Sequence, residues 1–385
     1  LEECPLCSDE SQKIRINWIQ CNICDQWYHN HCVHLTALEG DSISEYHCSK
    51  CFDANGPSVY KRKSKRQRVQ IDYVALNEGN GNVLALDKFN HPHILKLLSF
   101  TGTDAVVTLH GKTFTSDYAM VTGLPTPVYI PRAKRDGLGL EVPTTLTVTE
   151  VVGFIGEDAP IEVMDVLTQN GCPNWTAGMW RDYFNSPSED RDRIRNVISL
   201  EISQFPELSS RVQRPHYVQT QDLVDRVWDL TSPDEVLFKE RPQVTMYCLM
   251  SVAKSFTDFH VDFGGSSVYY TVIKGQKTFL MYPPSTTNLK AYETWCLRGD
   301  QNQVWLGDFV TGGIRVDLYE GDAFIIPSGW IHAVYTPVDT VVIGGNFLTI
   351  FNIPQQVKLA RIEQATKVPR KFTFPRFQTL LWLTA

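Results

Sequence analysis

The residues of this chain whose types and spacing best support chemistry are His260, Asp262 and His332. Residues 268–273 have the composition of a β-strand, and the His-x-Asp dyad just before them should be extended as well. In an extended strand, side chains two residues apart point to the same side, so His260 and Asp262 would face one point, where His332 can close a triangle. Two histidines and one carboxylate on one face of a metal leave three positions open, as in non-haem Fe(II) oxygenases. We therefore predict an iron site here.

Each of these residues also has an ordinary alternative role. A histidine near an aspartate is usually a surface ion pair, and His332 could be a buried histidine of the core. The remaining histidines of the catalytic region lack any such context, and we predict that they are structural or exposed: His91, His93, His110 and His216.

Seven of the ten cysteines lie within the first 51 residues. A histidine interrupts the series, the cysteines of the segment are odd in number and no secretion signal precedes them, so a disulfide framework is disfavoured. Short Cys-x2-Cys spacing lets two thiolates reach one metal, and a segment this small needs zinc to supply folding energy. Eight ligands suffice for two tetrahedral zinc sites: Cys4, Cys7, Cys21, Cys24, His29, Cys32, Cys48 and Cys51.

Composition is ordinary for a globular protein, with 43% hydrophobic and 21% charged residues. We expect no membrane segment and no signal peptide. The formal net charge is −7, but the charge is unevenly placed. Residues 1–56 are acidic, whereas 61–68 form a Lys/Arg-rich run. That run could be a solvated tether, a nuclear-import signal or a contact to DNA phosphates.

From residue 244 onward, short β-branched and aromatic runs alternate with Gly, Pro and Asp, which predicts an antiparallel double-sheet barrel. Residues 161–169, 175–184, 287–298 and 354–366 have helical spacing, and 372–383 form an apolar docking segment. The predicted strands are 244–252, 267–273, 277–282, 314–318, 323–326 and 341–347. The predicted divisions of the chain are a zinc finger (1–56), a basic linker (57–69), a helical and mixed region (70–200), a barrel (201–353) and a helical tail (354–385).

Residues 247–346 closely resemble the JmjC histone demethylases. The matching stretches are TDFHVDFGGSSVYY, KGQKTFLMYPP, IIPSGWIHAVYTPVDT and GGNFLTIFNI, and RDRIRNVISLEIS and TKVPRKFTFPRF extend the similarity on both sides. Among the branches of that family, the chain is most similar to the fungal JmjC domain-containing histone demethylation protein 1 family. The resemblance implies a mainly β protein with α: a double-stranded β-helix of the jelly-roll, cupin-like type with flanking helices.

Carried over residue by residue, the resemblance assigns His260, Asp262 and His332 to Fe(II). Lys277 would pair with the far carboxylate of 2-oxoglutarate, and Thr257 would add a hydroxyl hydrogen bond. Three further residues match polar positions around the cosubstrate and the metal: Tyr247, Asn346 and Asn196.

The order of four cysteines, one histidine and three cysteines resembles the PHD finger. In that family the pairs interleave, so Cys4, Cys7, His29 and Cys32 would hold one zinc ion, and Cys21, Cys24, Cys48 and Cys51 the other. Trp18 and Trp27 match two walls of a methyl-lysine cage, where a quaternary ammonium gains cation–π energy. Their alternative role is packing on the small zinc core.

The resemblance implies a nuclear enzyme that uses 2-oxoglutarate and oxygen to remove methyl groups from lysine 36 of a histone H3 tail, with release of succinate and formaldehyde. Three alternatives stay open: the related branch acting on lysines 9 and 27, a protein hydroxylase, and a chromatin-binding scaffold with an inactive barrel. The partner would be histone H3 or the nucleosome, with DNA phosphates at the basic linker.

Overall fold

The computed structural model describes residues 4–6, 18–35, 40, 43–60, 90–102, 106–228 and 240–385. The chain divides into two compact units, Leu1–Val83 and Leu84–Ala385. Among the helices of these residues, we find none with the length and apolar character needed to cross a membrane. The basic run 61–68 lies outside the described residues.

Within its described residues, the first unit contains two short antiparallel strand pairs and the α-helix α1 (Ser49–Asn55). Strand β1 (Trp18–Gln20) pairs with β2 (Trp27–His29), and β3 (Ile43–Glu45) pairs with β4 (Val59–Tyr60). Helix α1 (Ser49–Asn55) lies between β3 and β4 in the chain. In the described part of this unit, the buried hydrophobic residues are few: Cys4, Cys21, Tyr28, Ile43, Tyr46 and Cys48. Such a core is too small to stabilise the unit alone, which agrees with a need for bound metal.

Two sheets dominate the second unit and together form the predicted barrel. One sheet contains the strand order β15-β12-β17-β10, and the other has the order β11-β16-β13-β14, with antiparallel pairing throughout. Consecutive strands alternate between the two sheets, as in a jelly roll, except for β13 and β14, which are neighbours in the second sheet. The eight strands are β10 (Tyr247–Ser251), β11 (Ser255–His260), β12 (Ser267–Lys274), β13 (Gln276–Tyr282), β14 (Ile314–Tyr319), β15 (Ala323–Ile326), β16 (Ile331–Thr336) and β17 (Thr340–Phe347).

The first of these sheets is extended at both edges by strands from the preceding part of the chain. β5 (Val107–Thr108) and β6 (Val128–Ile130) continue it beyond β15. Beyond β10, the sheet continues with β9, β7 and β8. These three strands are β7 (Val163–Asp165), β8 (Asn170–Cys172) and β9 (Arg195–Glu201).

The helix predicted for residues 161–169 is therefore wrong. Met164 pairs with Asn196 of β9 and with Gly171 of β8, so this segment is a strand and a turn. The apolar spacing that suggested a helix spans barely two turns, and pairing with neighbouring strands overrides so weak a preference.

The barrel core lies between the two sheets. β14 alternates strictly, since Ile314, Val316 and Leu318 are buried while Arg315 and Asp317 are partly exposed. Its apolar side chains meet those of β12, β13 and β15 in one continuous cluster. Period-two alternation therefore places one face of each strand in the core.

Helices surround the barrel. In α4, Thr147 and Glu150 form a reciprocal capping box, and the apolar face then packs on β9 and β10. The predicted docking segment also packs, because Leu380 is buried in one cluster with Val224 and Trp228. The α-helices among the described residues of this unit are α2 (Ile94–Leu98), α3 (Ser116–Thr122), α4 (Val148–Ile155), α5 (Ala177–Asn185), α6 (Pro206–Ser209), α7 (His216–Gln221), α8 (Thr286–Cys296), α9 (Ile353–Ala365) and α10 (Phe377–Thr384).

Candidate active site

His260, Asp262 and His332 meet at one end of the β11–β16 pair. His260 is the last residue of β11 and lies directly opposite His332 of β16. Their ring centroids are 4.2 Å apart, and Nε2 of His332 lies 3.8 Å from Oδ2 of Asp262. One potential ligand atom from each residue lies within 4.8 Å of the other two. The structure thus brings the three predicted iron ligands together.

A β-bulge makes this meeting possible. Thr257 pairs with Val334 and His260 pairs with His332, so Asp258 and Phe259 together face the single residue Ala333. Without the extra residue, His260 would shift by one position and point to the opposite face of the strand. Bulges re-aim side chains in this way beside functional sites.

Both imidazoles are held in the same manner. Nδ1 of His260 lies 2.9 Å from the carbonyl oxygen of Asp258, and Nδ1 of His332 lies 2.9 Å from that of Trp330. A carbonyl can only accept, so Nδ1 carries the proton in each ring and Nε2 is left as a metal ligand.

Burial determines the electrostatics of this triad. Burial lowers the pKa of His260 and of His332 to about 4, and the His332 ring further disfavours protonation of His260. Burial raises the pKa of Asp262, whose Oδ1 accepts a hydrogen bond from Nδ2 of Asn346 at 3.4 Å. Asn346 Nδ2 also donates to Oγ of Ser266 at 2.9 Å. At neutral pH both histidines therefore keep a free lone pair for a metal ion.

The turn that follows Asp262 is fixed by the C-terminal helices. Gly264 and Gly265 have φ angles of 61° and 64°, a region that favours glycine. A Cβ at Gly264 would lie 2.8 Å from Cβ of Phe374. The backbone N–H of Gly264 donates to Oε1 of Glu363 on α9 at 2.7 Å. The orientation of Asp262 thus depends on α9.

Lys277 of β13 is 2% exposed and lies in the interior of the barrel. Its Nζ donates to Oγ of Ser251 at 2.6 Å and to Oγ1 of Thr336 at 2.7 Å. Within the described residues, no carboxylate forms an ion pair with it, and burial lowers the pKa of Lys277 to about 7. Hydroxyl groups alone do not neutralise the charge of a buried ammonium. The carboxylate of a ligand would neutralise it.

The other predicted cosubstrate residues lie around the same space. Oγ1 of Thr257 accepts from Nδ2 of Asn196 at 3.4 Å, and Oδ1 of Asn196 is buried without a described partner. The hydroxyl of Tyr247 donates weakly to the carbonyl oxygen of Gln243, at 3.4 Å. A cavity of about 1220 Å³ is lined by His260, Asp262, His332, Lys277, Thr257, Asn346 and Tyr247, among other residues. Asn196 lies behind this lining.

These donors fit a divalent metal and a dicarboxylate ligand. The triad supplies two neutral imidazoles and a carboxylate, and Lys277 supplies a buried cation in the same cavity. The donor set suits Fe(II) with open coordination positions.

The cysteines of the first unit form two further clusters. Cys21, Cys24, Cys48 and Cys51 lie together, with the sulfur atoms of Cys24 and Cys48 3.8 Å apart. These are the four residues that the resemblance to the PHD finger groups around one ion.

In the second cluster, Cys4, His29 and Cys32 lie together. Sγ of Cys32 is 3.7 Å from Nδ1 of His29. The fourth predicted ligand, Cys7, lies outside the described residues.

The two tryptophans of the predicted cage lie on one face of the β1–β2 pair. Trp18 is opposite His29 and Trp27 is opposite Gln20, so the tryptophans occupy diagonal positions. Trp18 is 39% exposed, and its ring contacts that of His29 with centroids 4.0 Å apart. Trp27 is half-buried.

One cluster was missed by sequence reasoning. His91, His93 and Asp258 are all buried, with potential ligand atoms within 4.8 Å of one another. The His-x-His spacing was visible, but Asp258 is 165 residues away from His93 in the chain, and nothing in the sequence joins them.

The fold and the triad define a cupin-like barrel with a two-histidine, one-carboxylate site. Residues 179–352 match the family described as a cupin-like domain. Relatives named JmjC domain-containing histone demethylation protein 1 match nearly the whole chain. The Debaryomyces hansenii protein is 48% identical, over 100% of this chain and 78% of its own length. The Candida albicans protein is also 48% identical, over 100% and 84%. The Saccharomyces cerevisiae protein is 38% identical, over 98% and 85%. The chain belongs to this family.

Proposed function

We propose that the protein is an Fe(II)- and 2-oxoglutarate-dependent histone lysine demethylase acting on methylated lysine 36 of histone H3. The observation that carries this proposal is the presence of the His260–Asp262–His332 triad and the buried cation of Lys277 in one cavity. The names of the relatives support histone demethylation as the activity.

Lys277 would bind the far carboxylate of 2-oxoglutarate. Its ammonium is fully desolvated, so a carboxylate at this point gains a strong, charge-assisted hydrogen bond. The hydroxyl groups of Ser251 and Thr336 already orient the ammonium, and Thr257 lines the same cavity. The keto acid end would then reach the triad.

Bound iron would supply the oxidising chemistry that converts 2-oxoglutarate to succinate and an N-methyl group to formaldehyde. The chain contributes the ligand geometry. The Asp258 and Trp330 carbonyls fix the two imidazoles, and Asn346 holds the carboxylate of Asp262. The buried walls of the barrel exclude water from the reacting groups.

A methylated lysine side chain fits the chemistry of the cavity lining. Glu201 and Glu363 line it, and burial raises the pKa of Glu363 to about 7 and that of Glu201 above its usual range. Tyr247 and Tyr270 add aromatic faces that attract alkylated ammonium groups. Acidic and aromatic groups together favour a cationic peptide. The choice of lysine 36 rests on the family resemblance, with the Pro283-Pro284 pair nearer to that branch.

The first unit would be a PHD-type finger with two zinc ions that binds the histone tail. A finger bound to one site on a nucleosome raises the effective concentration of a nearby lysine at the barrel. This role places the protein in the nucleus, where the basic run could direct import or contact DNA phosphates.

The deciding experiment is mass spectrometry of histone H3 peptides methylated at lysine 9, 27 or 36, incubated with the protein, Fe(II), ascorbate and 2-oxoglutarate. We expect stepwise loss of methylene units from the lysine 36 peptide, with formaldehyde released and no loss when 2-oxoglutarate is omitted. His332→Ala is the control and should be inactive. Stable oxygen addition without formaldehyde would indicate a hydroxylase, and peptide binding without turnover would indicate a scaffold.

A further inference from the structure

The missed cluster lies directly behind the metal-ligating end of β11. His91, His93 and Asp258 are 0%, 3% and 8% exposed. Nδ1 of His93 lies 3.1 Å and 3.3 Å from the two carboxylate oxygens of Asp258, and Nε2 of His91 lies 3.9 Å from Oδ2. The two rings pack against Phe256 and Trp305. A carboxylate in such an apolar site needs donors aimed at it.

Asp258 occupies the β-bulge, where the strand ladder is interrupted. Its carboxylate Oδ1 accepts the backbone N–H of Phe259 at 2.8 Å, which replaces the missing ladder partner. The carbonyl of the same peptide unit accepts Nδ1–H of His260 at 2.9 Å. In a trans peptide the C=O and the N–H point in opposite directions. The hydrogen bond from the N–H of Phe259 to the Asp258 carboxylate therefore keeps the C=O of Asp258 directed at the imidazole of His260.

The two histidines orient that carboxylate in turn. Because Nδ1 of His91 accepts the backbone N–H of His93 at 3.2 Å, a neutral His91 carries its proton on Nε2, which faces Asp258. The same proton disfavours a metal ion in the cluster, since Nε2 is the atom of His91 that would have to bind it. The cluster is better suited to hold Asp258 than to bind a second metal.

We propose that His91 and His93 are positioning residues that act through Asp258 to orient His260 toward the metal. His93 supplies the direct hydrogen bond, whereas Nε2 of His91 faces the carboxylate at 3.9 Å, an electrostatic contact beyond hydrogen-bond distance. His332 takes its orientation from the carbonyl of Trp330, which directly precedes β16, and does not depend on this cluster. The inference rests on the proposed metal site, so it is tested by metal binding rather than by demethylation.

The test is a Co(II) titration of the full chain with its zinc sites filled. Visible absorption monitors the titration, because the spectrum of bound Co(II) reports its coordination geometry. We expect His93→Leu to weaken Co(II) binding by about tenfold and to alter the spectrum, the scale typical for lost partners of a metal-ligating histidine. His93→Asn places an amide N–H where Nδ1–H was and should recover most of the affinity.

Leu97→Ala is the matched control, because Leu97 is fully buried in α2 beside the cluster and does not contact Asp258 by any described hydrogen bond. We expect it to lower the melting temperature and to leave the Co(II) spectrum unchanged. If His93→Leu does not fold, His91→Phe keeps the stacking on Phe256 and should weaken Co(II) binding less than tenfold.

Three outcomes would overturn the inference. The first is an unchanged Co(II) affinity in His93→Leu, and the second is an equal loss of affinity in Leu97→Ala. The third is a second equivalent of Co(II) that binds the wild-type chain and is lost in His93→Leu, which would make the cluster a metal site. Failure of the demethylase proposal would look different, as wild-type protein that binds Co(II) normally but turns over no peptide.

Discussion

Lys277 directs its ammonium group at the hydroxyl of Ser251, 2.6 Å away, in the interior of the barrel. A hydroxyl group can accept this hydrogen bond but cannot neutralise the charge. Burial accordingly lowers the pKa of Lys277 to about 7. The buried ammonium of Lys277 lowers the stability of the free protein. A bound carboxylate would neutralise its charge and form a strong ion pair with it.

Lys277→Met should separate stability from function. We expect the variant to lose 2-oxoglutarate binding by at least about a hundredfold, the scale of a lost buried ion pair. The unliganded variant should nevertheless melt a few degrees higher than wild type, because a desolvated ammonium is removed. Calorimetric titration and thermal unfolding check the two effects. A variant that melts lower would contradict the view that this ammonium is destabilising.

The same lysine predicts how 2-oxoglutarate affinity depends on pH. Because the pKa of Lys277 is lowered from 10.5 to about 7, the free protein loses this positive charge above neutrality. Affinity should therefore fall between about pH 7 and pH 9, by up to tenfold per unit. Calorimetry across this range measures it. Lys277→Met should bind weakly with no such slope, and a wild-type affinity that stays flat would show that the charge is not used.

Acid should destabilise the metal-free barrel through three buried histidines. Burial lowers the pKa of His91, His260 and His332 from 6.5 to about 4. Between these values the unfolded chain takes up protons first, so the free energy of unfolding falls as the pH falls. Each histidine contributes up to about 1.4 kcal/mol per pH unit in this window. Urea unfolding at several pH values measures the slope, and His260→Gln with His332→Gln should make it shallower.

Gly264→Ala should damage the site through the turn after Asp262. The left-handed backbone costs alanine about 1 to 2 kcal/mol, and the clash with Phe374 adds about 1 to 3 kcal/mol more. We expect weaker metal binding together with lower stability. Gly123→Ala is the control, because Gly123 has a φ of 71° and a Cβ there would meet nothing within 4 Å. Equal effects of both substitutions would exclude the close packing of Gly264 against Phe374 and Phe377 as the cause.

The two tryptophans of the finger can be assigned by separate substitutions. If they form a methyl-lysine cage, Trp18→Ala and Trp27→Ala should each weaken binding of a methylated histone peptide by about fivefold to thirtyfold, with two zinc ions retained. If they pack on the zinc core, the substitutions should instead lower zinc content and melting temperature. Fluorescence anisotropy and metal analysis distinguish the two roles.

Strand composition allowed the sequence to predict β12 to β15 and β17 closely, since β-branched and aromatic runs there end at Gly, Pro or Asp. The same composition did not predict β11 and β16, the strands that carry the two predicted metal-ligating histidines. β11 contains polar residues because it lines the site, and its bulge follows from pairing with β16 rather than from local pattern. The three triad residues that the structure brings together were predicted from the motif and the resemblance.

The sequence did not predict the contacts of His91 and His93 with Asp258. His91 and His93 had no visible role until Asp258 was placed beside them. The helix predicted at 161–169 was wrong for a related reason. This segment pairs with β9, and the pairing joins Met164 to Asn196, which lies far from it in the chain. The spacing of residues along one segment does not predict which distant strand it pairs with, or in which register.

The hydrogen bond from Gly264 to Glu363 affects where the chain can be truncated. The cupin-like match ends at residue 352, and α9 begins at Ile353. A fragment cut at that boundary would retain all three predicted metal ligands and lose the helix that accepts the Gly264 hydrogen bond beside one of them. We therefore expect a fragment that binds metal normally to extend beyond the barrel, through α9.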